Sequence, residues 1–248
     1  MDKHASWDSL DDIFSTSAIN IPSLSNVKTV FEFENDTISF IHNSYGYRSS
    51  EFDSVQDPYL LVAGCSLTEG YGLHLEQTWA VKLADKLNLN LVNLAKSGAD
   101  SEFVSVNIFN WLSSKSKPQQ IVIQWPNAFR AMHWSSSSCQ FVNSANHDSL
   151  YMSKIQSNEN NFWQSWIRNI ILTDRFCRQL GIPTIHICLE DISFVEPVRP
   201  MLECAKIELH LDQKQPGLTW HFDSGAADKL HHSEFCNEKW AQRILSLI

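Results

Sequence analysis

From residue 59 onward the chain alternates short, wholly apolar runs with longer segments of helical period, and that alternation leaves few folds open. Residues 59–63 (YLLVA), 120–125 (QIVIQW) and 184–189 (TIHICL) are apolar or nearly so at consecutive positions, as expected of strands buried on both faces. Residues 89–94 read as a further strand. Between these runs the spacing is helical. Trp79, Leu83 and Leu87 share a face in 76–87, as do Phe103, Val106, Ile108 and Trp111 in 101–112. Phe162, Trp166, Ile170 and Cys177 form a stripe along 160–180, ended by Gly181 and Pro183. Residues 233–248 close the chain as a helix, with Ser233 as N-cap and Phe235, Trp240 and Ile244 facing inward. Strand and helix in turn predict a parallel sheet with helices on both faces, a three-layer α/β/α sandwich.

The remainder frames this unit. Residues 1–26 are polar and are expected to extend over the surface, with a short helix available to 7–14. Residues 27–42 form two alternating runs around Glu34-Asn35-Asp36, a β-hairpin signature. The division expected is an N-terminal extension, 1–57, and an α/β domain, 58–248. Residues 129–157, rich in Ser and Asn and without period, read as an insertion, and 190–220 fit neither pattern.

Composition narrows the function classes. With 19 Lys+Arg against 28 Asp+Glu the net charge is −9, which argues against phosphate backbones and anionic membrane surfaces, both read by Lys and Arg. No run of 18 apolar residues offers a transmembrane span. The N-terminal MDKHASWDSLDD lacks an apolar h-region, so no signal peptide is expected, and the expected setting is the cytoplasm or a virion. Six cysteines without a Cys-x-x-Cys pair read as reduced, packed thiols. Half of the eight glycines, Gly64, Gly70, Gly72 and Gly98, crowd one stretch, where the backbone must turn sharply or be closely approached.

In a parallel sheet, sites form beyond the carboxyl ends of the strands. Past the first strand stands Gly64-Cys65-Ser66-Leu67-Thr68-Glu69-Gly70. Ser66 there either projects its hydroxyl into the crevice or, with Thr68, caps and turns the following helix. A phosphate loop fits less well, for the Walker lysine and the Gly-x-Gly-x-x-Gly order are missing. Past the second strand comes Gly98 and past the third Asn127. Each alone is a loop residue; together they offer a backbone N–H and a side-chain amide to an oxyanion. Near the C-terminus Asp228 and His231 stand three apart, so the carboxylate can hold one imidazole nitrogen while the other acts as base. Such a pair arises readily by chance at this composition; its place just before the last helix gives it weight. A rival set, His221, Asp223, Asp228, His231 and His232, could ligate a metal, though its spacing follows no familiar pattern. His232 is expected to face solvent.

These residues resemble, in order, the four blocks of the SGNH (GDSL-type) hydrolase superfamily. Gly64-Cys65-Ser66-Leu67-Thr68-Glu69-Gly70 is similar to its Gly-Asp-Ser-x-Thr-x-Gly block, with Ser66 in the nucleophile slot and Cys65 in place of the Asp. Gly98 matches the second block, Asn127 the third without that block's Gly and second acid, and Asp228 with His231 the fourth. The resemblance spans about residues 59–248 and implies a flavodoxin-like SGNH fold. Residues 43–48, ending in Arg48, are similar to a segment that precedes the hydrolase domain in some relatives; Arg48 would anchor the hairpin. The implied chemistry is acyl transfer: Ser66 as nucleophile, His231 as base, Asp228 as its orienting acid. The Ser66 and Gly98 N–H groups and the Asn127 amide would hold the oxyanion, with Gln124 and His133 as alternative donors. This chemistry calls for no metal or organic cofactor.

The implied function is a serine esterase acting on a small-molecule or carbohydrate ester, O-acetyl groups included. Two alternatives share the chain: a carbohydrate O-acyltransferase using the same site, and a binding or structural module without turnover, such as a virion component. Trp125, Trp134 and Trp220 could stack on sugar rings or simply pack.

Overall fold

The computed structural model describes residues 6–7, 24–34, 36–128, 130–134, 139–142, 149–188, 200, 206–209, 225–229 and 231–248. In chain order the strands are β1 (Ser6–Trp7), β2 (Lys28–Glu32), β3 (Thr37–Ile41), β4 (Tyr59–Ala63), β5 (Asn90–Asn93), β6 (Gln120–Trp125), β7 (Ala131–Trp134), β8 (Cys139–Val142), β9 (Thr184–Cys188) and β10 (Lys206–Leu209). The helices are α1 (Ser66–Glu69), α2 (Trp79–Leu87), α3 (Ser101–Ser114), α4 (Ser149–Gln179) and α5 (Glu234–Leu245).

Five strands pair in the order β10-β9-β6-β4-β5, every pair parallel. Counted along the chain this is 2-1-3-4-5, the flavodoxin-like order, whose winding reverses beside its first strand, here β4. Every residue of β4, β6 and β9 is buried, which is why these strands read as apolar runs rather than as alternations. Their side chains nonetheless divide by the two-residue period of a strand. Leu61, Ala63, Ile121, Ile123 and Trp125 pack with Phe103 and Ile108 of α3 and Trp166 and Ile170 of α4. Leu60, Val62, Val122, Ile185 and Ile187 pack with Trp79 and Leu83 of α2 and Trp240 and Ile244 of α5. Helices therefore cover both faces, and the protein is a three-layer α/β/α sandwich with a parallel centre. Three helices start on side-chain caps: Thr78 accepts from Val81 N, Asp100 from Phe103 N and Ser233 from Cys236 N. β2 and β3 form the expected antiparallel hairpin.

Within 129–157, read as an insertion, β7 and β8 pair with each other and with β1 in a separate three-stranded antiparallel sheet. The structure corrects the sequence reading in three places. Helix α4 begins at Ser149 rather than near residue 160. β10, in the stretch that fitted neither pattern, supplies the fifth parallel strand. Phe235 is 66% exposed; the inward stripe of α5 is Cys236, Trp240 and Ile244, spaced i, i+4. Of the short helix expected over 7–14, Trp7 ends a strand and the rest lies outside the described residues.

Candidate active site

Beyond β4 the chain turns at Gly64 and enters the single-turn helix α1, with Cys65 at its N-cap and Ser66 as its first residue. Ser66 thus stands at the carboxyl end of the strand where the winding reverses, the place at which open α/β sheets put their ligands. Cys65 makes no side-chain cap and is fully buried in the core. Thr68 is not a cap either; its hydroxyl donates to Gln124 Oε1 at 2.6 Å, which ties α1 to β6. So short a helix needs outside donors for its last carbonyls. Asn93 Nδ2 reaches Thr68 O at 3.2 Å. Arg48, 2% exposed, donates to Glu69 O, Gly70 O and Leu73 O at 3.2, 2.8 and 2.8 Å. Its guanidinium also stacks 3.7 Å from the Phe40 ring centroid in β3, so one residue anchors the hairpin and the loop after Ser66 together. Arg48→Met takes away the donor serving the Glu69 and Leu73 carbonyls. It should cost about 2–4 kcal/mol, seen in thermal unfolding as a melting point lower by roughly 4–16 °C.

His231 and Asp228 come from the turn before α5. Asp228 Oδ1 accepts the His231 backbone N–H at 3.0 Å, and Asp228 Oδ2 lies 2.5 Å from His231 Nδ1. His231 Nε2 lies 2.9 Å from Ser66 Oγ. Because a carboxylate only accepts, Nδ1 is assigned the proton, which leaves Nε2 to accept from the Ser66 hydroxyl. The His231 side chain is 21% exposed and that of Asp228 6%, so a substrate can reach the base while the acid stays shielded. Gly72 (φ +78°) backs onto this acid: a Cβ there would come 2.8 Å from Asp228 Oδ1. Neighbouring His232 is only 7% exposed, not solvent-facing as expected.

Gly98 and Asn127 follow β5 and β6, the strands on either side of β4, so both loops open on the rim that carries Ser66. Of the alternative donors, Gln124 is buried and accepts from Thr68, and His133 belongs to β7 in the separate sheet. Trp125 is fully buried, its Nε1 donating to His186 Nδ1 at 2.9 Å, which removes it from the sugar-stacking candidates. Trp134 lies in β7, and Trp220, His221 and Asp223 lie outside the described residues. Among the described residues no group of three His, Cys, Asp or Glu is arranged to hold a metal ion. Cys65, Cys177, Cys188 and Cys236 are buried free thiols.

Two features around the site were not read from the sequence. The hairpin is clamped to the His231 turn. At its tip Glu34 pairs with Lys229 and Asp36 lies 3.2 Å from His74. Beneath, Phe31 meets Tyr71 at a centroid distance of 5.2 Å and Tyr71 meets His231 at 5.3 Å. The second feature is a buried ionic cluster around Glu69, 1% exposed. Lys96 Nζ lies 2.5 Å from Glu69 Oε1, and Ser97 donates its N–H at 2.7 Å and its hydroxyl to Glu69 Oε2. Burial alone would raise the Glu69 carboxyl, but the Lys96 charge and the Lys96 and Ser97 hydrogen bonds outweigh it and hold the group well below the usual carboxylate range.

No protein-family model matches the sequence, and neither does any curated protein. Solved structures do match. A carbohydrate esterase, described for the divergent catalytic and non-catalytic binding functions of its active site, superposes over 90% of this chain and 83% of its own with a TM-score of 0.50 at 13% identity. The chain shares that enzyme's fold. At TM-scores of 0.49 follow a family 2 carbohydrate esterase with a carbohydrate-binding domain from Corynascus thermopiles (Myceliophthora fergusii) and a lipolytic G-D-S-L family protein from Veillonella parvula. The first is 9% identical and aligns over 78% of this chain and 66% of its own. The second is 15% identical and aligns over 77% and 97%.

Proposed function

We propose that the protein is a serine esterase that hydrolyses carboxylic esters, with O-acetyl groups on carbohydrate as the favoured substrate class. The hydrogen-bonded row Ser66–His231–Asp228 carries this reading. It links a hydroxyl to a base at 2.9 Å and the base to a shielded acid at 2.5 Å, beyond the strand where such a fold opens its crevice. The fold shared with a carbohydrate esterase supports the substrate class.

In the proposed reaction Ser66 Oγ attacks the ester carbonyl carbon as its proton passes to His231 Nε2. The carbonyl π pair moves onto oxygen, and the oxyanion accepts from the N–H groups of Ser66 and Gly98 and from the Asn127 amide. When the tetrahedral intermediate collapses, the alcohol leaves with the proton from His231, and the acyl group stays on Ser66. Water then adds to the acyl carbon with His231 again as base, and the carboxylic acid departs as Ser66 recovers its proton. Asp228 keeps its charge throughout and offsets that of the imidazolium.

Turnover of p-nitrophenyl acetate, with and without a sugar acceptor, tests the reading: hydrolysis that depends on Ser66 and is unchanged by the acceptor is expected. Absence of hydrolysis contradicts it, and acyl transfer to the sugar at the expense of water would make the protein a transferase. Asn127→Ala should lower kcat by about 10²–10³ with little change in KM, because the amide bonds more strongly to the anion than to the ground-state carbonyl. A near-parental kcat with a lowered melting point would confine Asn127 to turn capping.

A further inference from the structure

We propose that Glu69 is a positioning residue for the oxyanion-binding turn, acting through Ser97 on the peptide that carries the Gly98 N–H. The inference rests on the esterase reading and extends it to a residue that the four-block resemblance gives no role.

The turn itself is well defined. Ala99 N–H donates to Lys96 O at 3.0 Å, which closes a four-residue turn with Ser97 and Gly98 at its centre. Gly98 has φ +84° at the position where a type II turn calls for glycine. In such a turn the Ser97–Gly98 peptide plane can flip, and the flip decides where the Gly98 N–H points. Lys96 N–H donates to Gly64 O at 3.2 Å, which fixes where the turn starts beside the Ser66 loop. Nothing in that bond holds Ser97. Glu69 supplies the hold: one carboxylate oxygen takes both the N–H and the hydroxyl of Ser97, and the other takes Lys96 Nζ. Since Glu69 is also the last residue of α1, which Ser66 opens, the carboxylate joins the nucleophile's own helix to the oxyanion turn. His42, just past the hairpin, completes the cluster. Its Nδ1 lies 3.1 Å from the Val27 carbonyl, which only accepts, so Nε2 is left to accept from Lys96 Nζ at 3.2 Å.

Three hydrogen-bond donors, Lys96 Nζ and the Ser97 N–H and hydroxyl, converge on a carboxylate buried from solvent, and the cost of burying its charge is met only when all of them are in register. That gives the cluster one arrangement and holds the Lys96–Ser97 peptide and the Ser97 side chain, from which the Ser97–Gly98 peptide takes its orientation under the proposal. A purely structural role would predict lost stability with parental kcat.

The test compares Glu69→Gln, Ser97→Ala and Ser97→Thr with the parent and Ser66→Ala, reading kcat and KM on p-nitrophenyl acetate, melting temperature, and amide hydrogen exchange of residues 96–99. Glu69→Gln should lower kcat by about tenfold or more, towards the 10²–10³ of a lost donor, with KM little changed and faster exchange in the turn. Ser97→Ala, which leaves the Lys96 pair intact and serves if Glu69→Gln does not fold, should lower kcat several-fold, and Ser97→Thr should restore it. Parental kcat in Ser97→Ala, or in a folded Glu69→Gln whose melting point alone has dropped, overturns the proposal and leaves the esterase reading standing. If the parent itself shows no Ser66-dependent hydrolysis, both fall.

Discussion

Ser66→Ala is expected to abolish ester hydrolysis and leave the fold in place. The substitution removes one atom, the oxygen 2.9 Å from His231 Nε2, and keeps the backbone bonds that build the loop, including those from Gly70 N and Tyr71 N to Ser66 O. Loss of a triad nucleophile costs about 10⁴–10⁶ in kcat. The variant should keep the parental melting temperature and the weak rate enhancement that the oxyanion donors supply without it. Cys65→Ala is the matched control. Its thiol is wholly buried in the core, so the change should lower stability and spare the chemistry. A Ser66→Ala protein that retains most of its turnover would remove Ser66 from the mechanism.

The second large effect belongs to Asp228→Asn. The amide has almost the shape of the carboxylate, so the loop that it closes through the His231 N–H can persist. What changes is the tautomer. Carboxylate Oδ2 can only accept from Nδ1, whereas an amide nitrogen there donates, which moves the imidazole proton to Nε2 and leaves nothing to take the Ser66 proton. A loss of about 10⁴ in kcat is expected, with KM little altered. His231→Ala should lose comparably, while His232→Ala, at a side chain turned into the protein, should be read in stability. A larger kcat loss at His232 would reverse the assignment of the base.

Ser66, Asp228 and His231 were candidates from the sequence because of where they stand relative to the strand–helix alternation, and the structure brings their side chains within hydrogen-bond distance. β4, β6 and β9 are buried on both faces, so they announce themselves as apolar runs; Ser66 and Asn127 follow the first two of these within a few positions, and Asp228 and His231 precede the last helix. β10 did not announce itself, because the alternation of Lys206-Ile207-Glu208-Leu209 is only four residues long. The first turns of α4 read as loop because Asn and Ser crowd them. Phe235 was turned the wrong way by its size, although it stands five residues from Trp240, about 140° around the helix. Arg48 was legible as an anchor, but not that it holds both the hairpin and three carbonyls of the Ser66 loop. The Glu69–Lys96–His42 cluster was not legible, since its members are 27 and 54 positions apart and each reads alone as an ordinary surface residue. Only the fold brings them together: Glu69 follows β4, Lys96 follows the neighbouring β5 and His42 follows β3 of the hairpin.

The proposed chemistry stands or falls on Ser66 being a nucleophile activated by His231. Reaction with a p-nitrophenyl alkylphosphonate, followed by mass mapping of the adduct, tests this, because the phosphonate traps whichever hydroxyl the site activates. One adduct per chain is expected, on Ser66, with a proportional loss of esterase activity and much slower labelling in His231→Ala. An adduct on another residue, or unimpaired hydrolysis by protein fully labelled at Ser66, would contradict it.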